Sequence, residues 1–182
     1  MDKLIFRFNN QGSQSRFNNK DILGGKGANL AQMAKLGLPV PPGFTISTKV
    51  CEYFYRNNKK IPKKLINLAN KELKIIEKIS KKKFGDLLNP LLVSVRSGSR
   101  VSMPGMMDTI LNLGLNDKTV IALKKKTSNG RFAKDSYRRF IQMYSNVVLG
   151  IQLHLFEELI ENYKLTKGVI QDTELEENDW DG

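Results

Sequence analysis

The sequence predicts an α+β protein, an α/β lobe followed by a helical one, and three observations carry that reading. Short apolar runs of strand character occur at residues 4–8, 44–46 and 91–95. Between them, apolar residues recur at the spacing of one helix face. Beyond about residue 115 only helical patterns remain. Residues 1–115 are therefore assigned to the α/β lobe, and residues 116–182 to a helical subdomain with an acidic end.

The elements follow in order. LIFRF, residues 4–8, reads as a first strand, and a polar loop rich in Asn, Gln and Ser succeeds it. In DILGGKGANLAQMAKLGLPVPPGFTIST a helix begins near Gly27, with Leu30, Met33 and Ala34 on one face and Gly37 as its stop. Pro39, Pro41 and Pro42 enforce an extended connector to the strand at 44–46. Ser47 or Thr48 caps the next helix, KVCEYFYRNN. Leu65, Leu68, Ala69, Leu73, Ile76 and Ile79 then mark an amphipathic helix. Residues 91–95 form the clearest strand, apolar enough to be buried, and TILNL alternates like a second. Asn116 or Asp117 caps a helix over about 118–125. In RFAKDSYRRFIQMYSNVVLG the stripe Tyr137, Phe140, Ile141, Tyr144, Val147 and Val148 predicts a helix with an apolar face, and a last helix runs near 153–163. There is no internal repeat.

Composition excludes several classes. The chain has 182 residues, 40% of them hydrophobic and 26% charged, which suits a folded domain. No apolar run approaches the roughly 20 residues of a membrane helix. MDKLIFRFNN has no apolar core of a signal peptide, and a single cysteine, Cys51, permits no internal disulfide, so a cytoplasmic location is expected. The net charge of +12 raises nucleic acid as a partner. Ten lysines lie between residues 59 and 83, against Glu72 and Glu77. The helical pattern there makes them a solvated face, and the window has no aromatic residues interleaved as stacking platforms. A basic module that binds nucleic acid is kept as the rival reading.

Two stretches carry chemistry. GGKGANL, residues 24–30, has glycines for close backbone approach, a lysine, and a helix starting just after. Helix N-termini favour anions, and Lys26 can serve as a point charge on a phosphate; a glycine-lined turn with an exposed lysine is the plain alternative. Gly27 and Ala28 follow the lysine, so this is not a Walker A loop. RSGSRVSMPGMMDT, residues 96–109, places Arg96 and Arg100, two of eight arginines, directly after a strand. Arginine's fork binds phosphate or carboxylate, and α/β folds place ligands at strand ends. Pro104-Gly105 forms a tight turn, and Met103, Met106 and Met107 pack it against the core. Asp108 pairs with an arginine, caps the turn or assists a metal, pairing being the commonest outcome. Cys51 reads as structural. His154, the one histidine, is explained by surface pairing with Glu157 and Glu158.

GGKGANLAQMAKLGLPVPPGFTIST, PLLVSVRSGSRVSMPGMMDTILNLGLND and RFAKDSYRRFIQMYSNVVLG together resemble the N-terminal nucleotide-binding domain of the pyruvate, phosphate dikinase family. The likeness spans nearly the whole chain, strongest at 22–48 and 90–150. The Ser-Met-Pro-Gly-Met-Met-Asp-Thr run is the specific part; phosphoenolpyruvate synthases have similar Gly-Gly-Lys and Val-Arg-Ser segments without it. The resemblance implies an ATP-grasp-like α/β lobe with a mixed sheet and an inserted helical subdomain. It implies interconversion of ATP, phosphate and pyruvate with AMP, pyrophosphate and phosphoenolpyruvate, using Mg²⁺. Lys26 and Arg96 match the family's basic residues that hold nucleotide phosphates, which makes Arg96 a catalytic candidate. Gly105 matches a glycine of the phosphate loop. Arg100, Asp108 and Thr109 lie in the same motif as further nucleotide-site candidates. Ser99 and Val101 stand where the family usually has alanine or another small residue.

The family chain is several times longer. The adenine pocket and acidic metal ligands are expected outside these residues, as are the phosphohistidine and pyruvate or phosphoenolpyruvate domains, and the full-length family is expected to be a homodimer. No metal ligand is assigned within the chain. His154 lies outside the glycine- and threonine-rich context of the family's phosphocarrier. The expectation is an N-terminal fragment, an incomplete domain that is inactive alone; a non-catalytic truncated remnant is the alternative.

Overall fold

A computed structural model describes residues 3–9, 12–13, 19–98 and 108–180. They fall into two compact units: residues up to Lys81 with Ser97 and Gly98, and Lys82–Arg96 with the residues from Asp108 onward.

In the first unit, strand β1 (Ile5–Asn9) pairs antiparallel with β2 (Gly12–Ser13) and with β3 (Gly43–Ile46), in the order β2-β1-β3. Strand alternation sends Phe6 and Phe8 to one face and Ile5 and Arg7 to the other. Helix α1 (Lys20–Lys35) takes the first face: Phe8 clusters with Ala34 and Val40, and Phe6 with Leu23, Ala28 and Ala31. Helices α2 (Thr48–Arg56) and α3 (Lys63–Ser80) take the other, where Ile5 packs with Val50 and Leu65. Arg7 grips Glu72 of α3 with two hydrogen bonds, at 2.5 and 3.0 Å. Ser47 is the cap of α2, accepting from the Lys49 amide at 3.3 Å.

Helix α1 starts earlier than its pattern suggested. Asn19 caps it by accepting from the Asp21 amide at 2.8 Å, and helical turns begin at Lys20. At Gly24 the backbone turns to φ 69°, ψ 168°, and the helix restarts. The expected start near Gly27 is thus the second part of a broken helix. Gly37 does end it, with φ 74°, and Leu38 donates back to the Met33 carbonyl at 3.1 Å. Helix α3 keeps its lysines in solvent as expected, although Ile79, placed on the apolar face, is exposed.

The second unit opens with β4 (Val93–Arg96) and β5 (Thr109–Leu113), an antiparallel pair with a register shift between Val93 and Val95. Asn112, at φ 57°, takes up the irregularity. Strand β4 was expected to be buried. Leu91 is buried, but Val95 is 47% exposed, because the pair packs through β5 on helix α5 (Gly130–Leu149) and Ile110 fills that contact. Asn116 accepts from the amides of Lys118 and Thr119, both at 2.9 Å, at the head of helix α4 (Thr119–Thr127). Asn129 caps α5 by accepting from the Phe132 amide at 2.9 Å. Helix α6 (Leu153–Lys167) and two 3₁₀ turns, Asp172–Glu174 and Glu177–Trp180, complete the unit.

Two expectations need correction. Every described strand pairing is antiparallel, in two separate sheets, so the mixed sheet does not occur among the described residues. Strand β5 packs on α5 within the second compact unit. The buried face of α5 is also not its apolar stripe. Ala133, Ser136, Gln142 and Ser145 are buried, whereas Ile141, Tyr144 and Val148 are exposed. Small side chains allow close packing on that face, and periodicity counts hydrophobicity without registering side-chain size.

Gly24 sits in a region of backbone space that residues with a Cβ enter at a cost of about 1–3 kcal/mol. Gly24→Ala is expected to lower unfolding free energy by about that amount, read from the urea midpoint at unchanged slope.

Candidate phosphate-binding site

The first candidate residue sits where α1 restarts. A helix that begins afresh offers a new set of amides without acceptors in their own helix, and a positive dipole end. Gly25 and Gly27 are buried on either side of Lys26, which is half-buried. Gly27 is required by packing: a Cβ there would lie 2.7 Å from Cγ2 of Thr45 on β3. The preceding turn is tied down by Thr48, whose hydroxyl donates to the Asp21 carbonyl. Gly98 reaches the same neighbourhood; a Cβ on it would lie 3.8 Å from the Leu23 carbonyl oxygen. Among the described residues Lys26 has no hydrogen-bond or ion-pair partner. An unpaired ammonium between two buried glycines can meet an anion with no internal contact to break.

The second group lies at the open end of the β4–β5 pair. Arg96, the last residue of β4, is exposed and stands in register with half-buried Thr109. Asp108, also exposed, adjoins it in sequence. The structure therefore brings Arg96, Asp108 and Thr109 to one strand end. Arg96 and Asp108 nonetheless form no ion pair among the described residues, so the guanidinium fork stays available. Arg100, Gly105 and the three methionines lie outside the described residues.

Lys26 belongs to the first unit and Arg96 to the second, and each is described within its own. Among the described residues no three His, Cys, Asp or Glu side chains cluster as a metal site. The cations and the helix start suit phosphate oxygens. Cys51 is exposed. His154 is exposed on α6 and forms no ion pair among the described residues, so the pairing expected with Glu157 and Glu158 is not made. No described helix is long and apolar enough to cross a membrane.

Sequence reasoning missed two features. The Asn19 cap was legible as an Asx residue two positions before Asp21, but the glycines after it drew the helix start downstream. The acidic end carries no sequence signal for burial, yet Leu175 within it is 1% exposed.

Residues 20–84 match the family model described as "Pyruvate phosphate dikinase, AMP/ATP-binding domain". The pyruvate, phosphate dikinase of Entamoeba histolytica is 55% identical over 161 residues, covering 88% of this chain and 18% of the relative. That of Clostridium symbiosum is 50% identical over 179 residues, covering 98% and 20%. The chloroplastic pyruvate, phosphate dikinase of Flaveria pringlei is 52% identical over 173 residues, covering 95% and 18%. The chain thus spans about a fifth of the length of the curated relatives it matches, in their N-terminal part.

Since Lys26 has no described partner, Lys26→Ala is expected to change folding stability by no more than about 0.5 kcal/mol in urea denaturation. A larger loss would mean that the lysine stabilises the fold itself.

Proposed function

We propose, on the premise that the chain belongs to the pyruvate, phosphate dikinase family and aligns with the N-terminal part of its members, that it supplies phosphate-side residues of an ATP site. The reaction of the whole enzyme would interconvert ATP, phosphate and pyruvate with AMP, pyrophosphate and phosphoenolpyruvate. The observation that carries the reading is Lys26. It stands unpaired among the described residues at the restarted start of α1, inside the stretch that matches an AMP/ATP-binding domain.

The chemistry follows from the groups present. Phosphoryl transfer is catalysed mostly by positioning and by fixed positive charge on the phosphate oxygens. Lys26 acts as a point charge beside the amides of a helix start. Arg96 presents a planar fork for two oxygens at once. Ser97 and Gly98, which follow it, give room for a ligand and further donors. Thr109 offers a hydroxyl at the same strand end. Arg100, Asp108 and Gly105 are retained in the site on the family motif. Mg²⁺ would arrive with the nucleotide and neutralise phosphate charge. Its ligands, an ATP-grasp-like completion of the fold, and the phosphohistidine and pyruvate-binding parts belong to the full-length enzyme, proposed as a homodimer in a cytoplasmic setting.

Losing a charge-assisted contact costs about 1.5 kcal/mol or more, roughly tenfold in Kd. Lys26→Ala and Arg96→Ala are each expected to weaken ATP binding by at least about that factor, measured by calorimetry with Mg²⁺ present. The same substitutions at the aligned positions of full-length Clostridium symbiosum dikinase should lower kcat/KM for ATP. Unchanged nucleotide affinity and unchanged kcat/KM would overturn the assignment.

A further inference from the structure

The acidic segment after α6 grips three helices through opposite charges. On α5, Arg131 donates to the carbonyls of Leu175 at 2.8 Å and Asp172 at 3.0 Å. Arg138 reaches the Asp172 carboxylate at 3.4 Å and lies 4.6 Å from the centre of the Trp180 ring. On α6, Lys164 pairs with Asp172 at 3.1 Å and Glu161 at 2.6 Å, while Tyr163 and Lys167 both donate to Asp179. On α4, Lys124 pairs with Glu177. The Glu177 carboxylate lies directly over Gly130, the first residue of α5, where a Cβ would overlap it. It also walls a cleft of about 370 Å³ with Lys124, Lys125 and Lys134.

We propose that residues 172–180 form a strap that closes over α4, α5 and α6 through these contacts and leaves them as a unit while the helices stay folded. Three observations support a separable strap. It is internally closed: the Leu175 amide donates to the Asp172 carbonyl at 3.3 Å, and the Asp179 carboxylate accepts from the Glu176 amide at 2.6 Å. Its hold is mostly ionic, Leu175 being its one buried residue, and ionic contacts weaken with salt where apolar burial does not. Its closed state is also imperfect. Arg138 Nε and Trp180 Nε1 are buried without a hydrogen-bond partner, and unsatisfied buried donors favour the open form. Segments with few apolar contacts open first. Opening would uncover Arg131, Arg138, Lys164 and Lys167 together and withdraw Glu177 from the cleft.

Acid should open it. Facing the strap are Lys124 of α4; Arg131, Asp135 and Arg138 of α5; and Glu161, Tyr163, Lys164 and Lys167 of α6. Lys167, and then the Glu176 amide, hold Asp179 below the usual carboxylate range. A group with a depressed folded pKa stabilises above its unfolded value, near 4 for a carboxylate, and that stability is lost as pH falls through the folded value.

Trp180 is the one tryptophan of the sequence, so its emission reports the strap while far-UV circular dichroism reports the helices. On acidification of the full chain from neutrality, emission is expected to shift to longer wavelength below about pH 4, before helical signal is lost. Added salt should raise the pH of that shift. Arg138→Ala should give the shifted emission at neutral pH with helices retained. If that variant does not fold, the double substitution Asp172→Asn and Asp179→Asn serves the same purpose. Emission and helical signal changing together at one midpoint, in the parent chain and in whichever variant folds, would show the segment to be part of the cooperative core and sink the idea.

Discussion

The first unit depends on how closely α1 lies against β3. Gly27 faces Thr45 with no space for a β-carbon, and the residues along the inner side of the helix are small: Gly25, Ala28, Ala31 and Ala34 are all buried. A helix of small residues can bring its backbone within side-chain reach of a strand. The break at Gly24 belongs to the same constraint. It lets Lys20–Leu23 turn in one direction and the rest of the helix set off in another, so that a fresh helix start falls in mid-element. The lysine that reads as functional sits on that start. Fold and candidate site therefore rest on the same three glycines.

Charge is distributed according to use. The net charge of +12 suggests a generally basic surface, but the structure sorts the cations. Those of α3 face solvent. Those of α4, α5 and α6 that face the acidic segment are engaged by it. Lys26 and Arg96 are in neither class. Each stands next to glycine or at a strand end, and each lacks an ion-pair partner among the described residues. A formal charge count cannot separate these three populations, because the separation depends on which helices the acidic segment meets in space.

Much of the fold was legible because periodicity reports burial. The strand TILNL, the helix stop at Gly37, the Ser47 cap and the solvated lysines of α3 all follow from local rules that tertiary packing did not override. The misread burials share one cause. Val95 and the Ile141–Tyr144–Val148 stripe are apolar, yet exposed, because burial requires a partner surface and sequence pattern records only eligibility for one. The same limit hid Leu175, a lone leucine among acids, which is buried because Arg131 and Arg138 draw the segment onto α5. Lys26 was identifiable from its glycines. That it has no partner among the described residues was not, since absence of a contact is a property of the assembled fold.

The arginines sharpen the case for Arg96. Arg7 is committed to Glu72, Arg131 to two carbonyls, and Arg138 and Arg139 to Asp135. Arg56 lies in the last turn of α2, where a cation meets the negative end of the helix dipole. Each of these has a structural reason within the chain. Among the described residues Arg96 has none: it ends a two-stranded sheet in solvent, opposite a threonine, and forms no ion pair with the nearby Asp108. A chain that otherwise prefers lysine gains nothing in solubility from arginine over lysine at an exposed strand end. What arginine adds there is the planar fork, and a fork is of use only to a planar or multidentate anion.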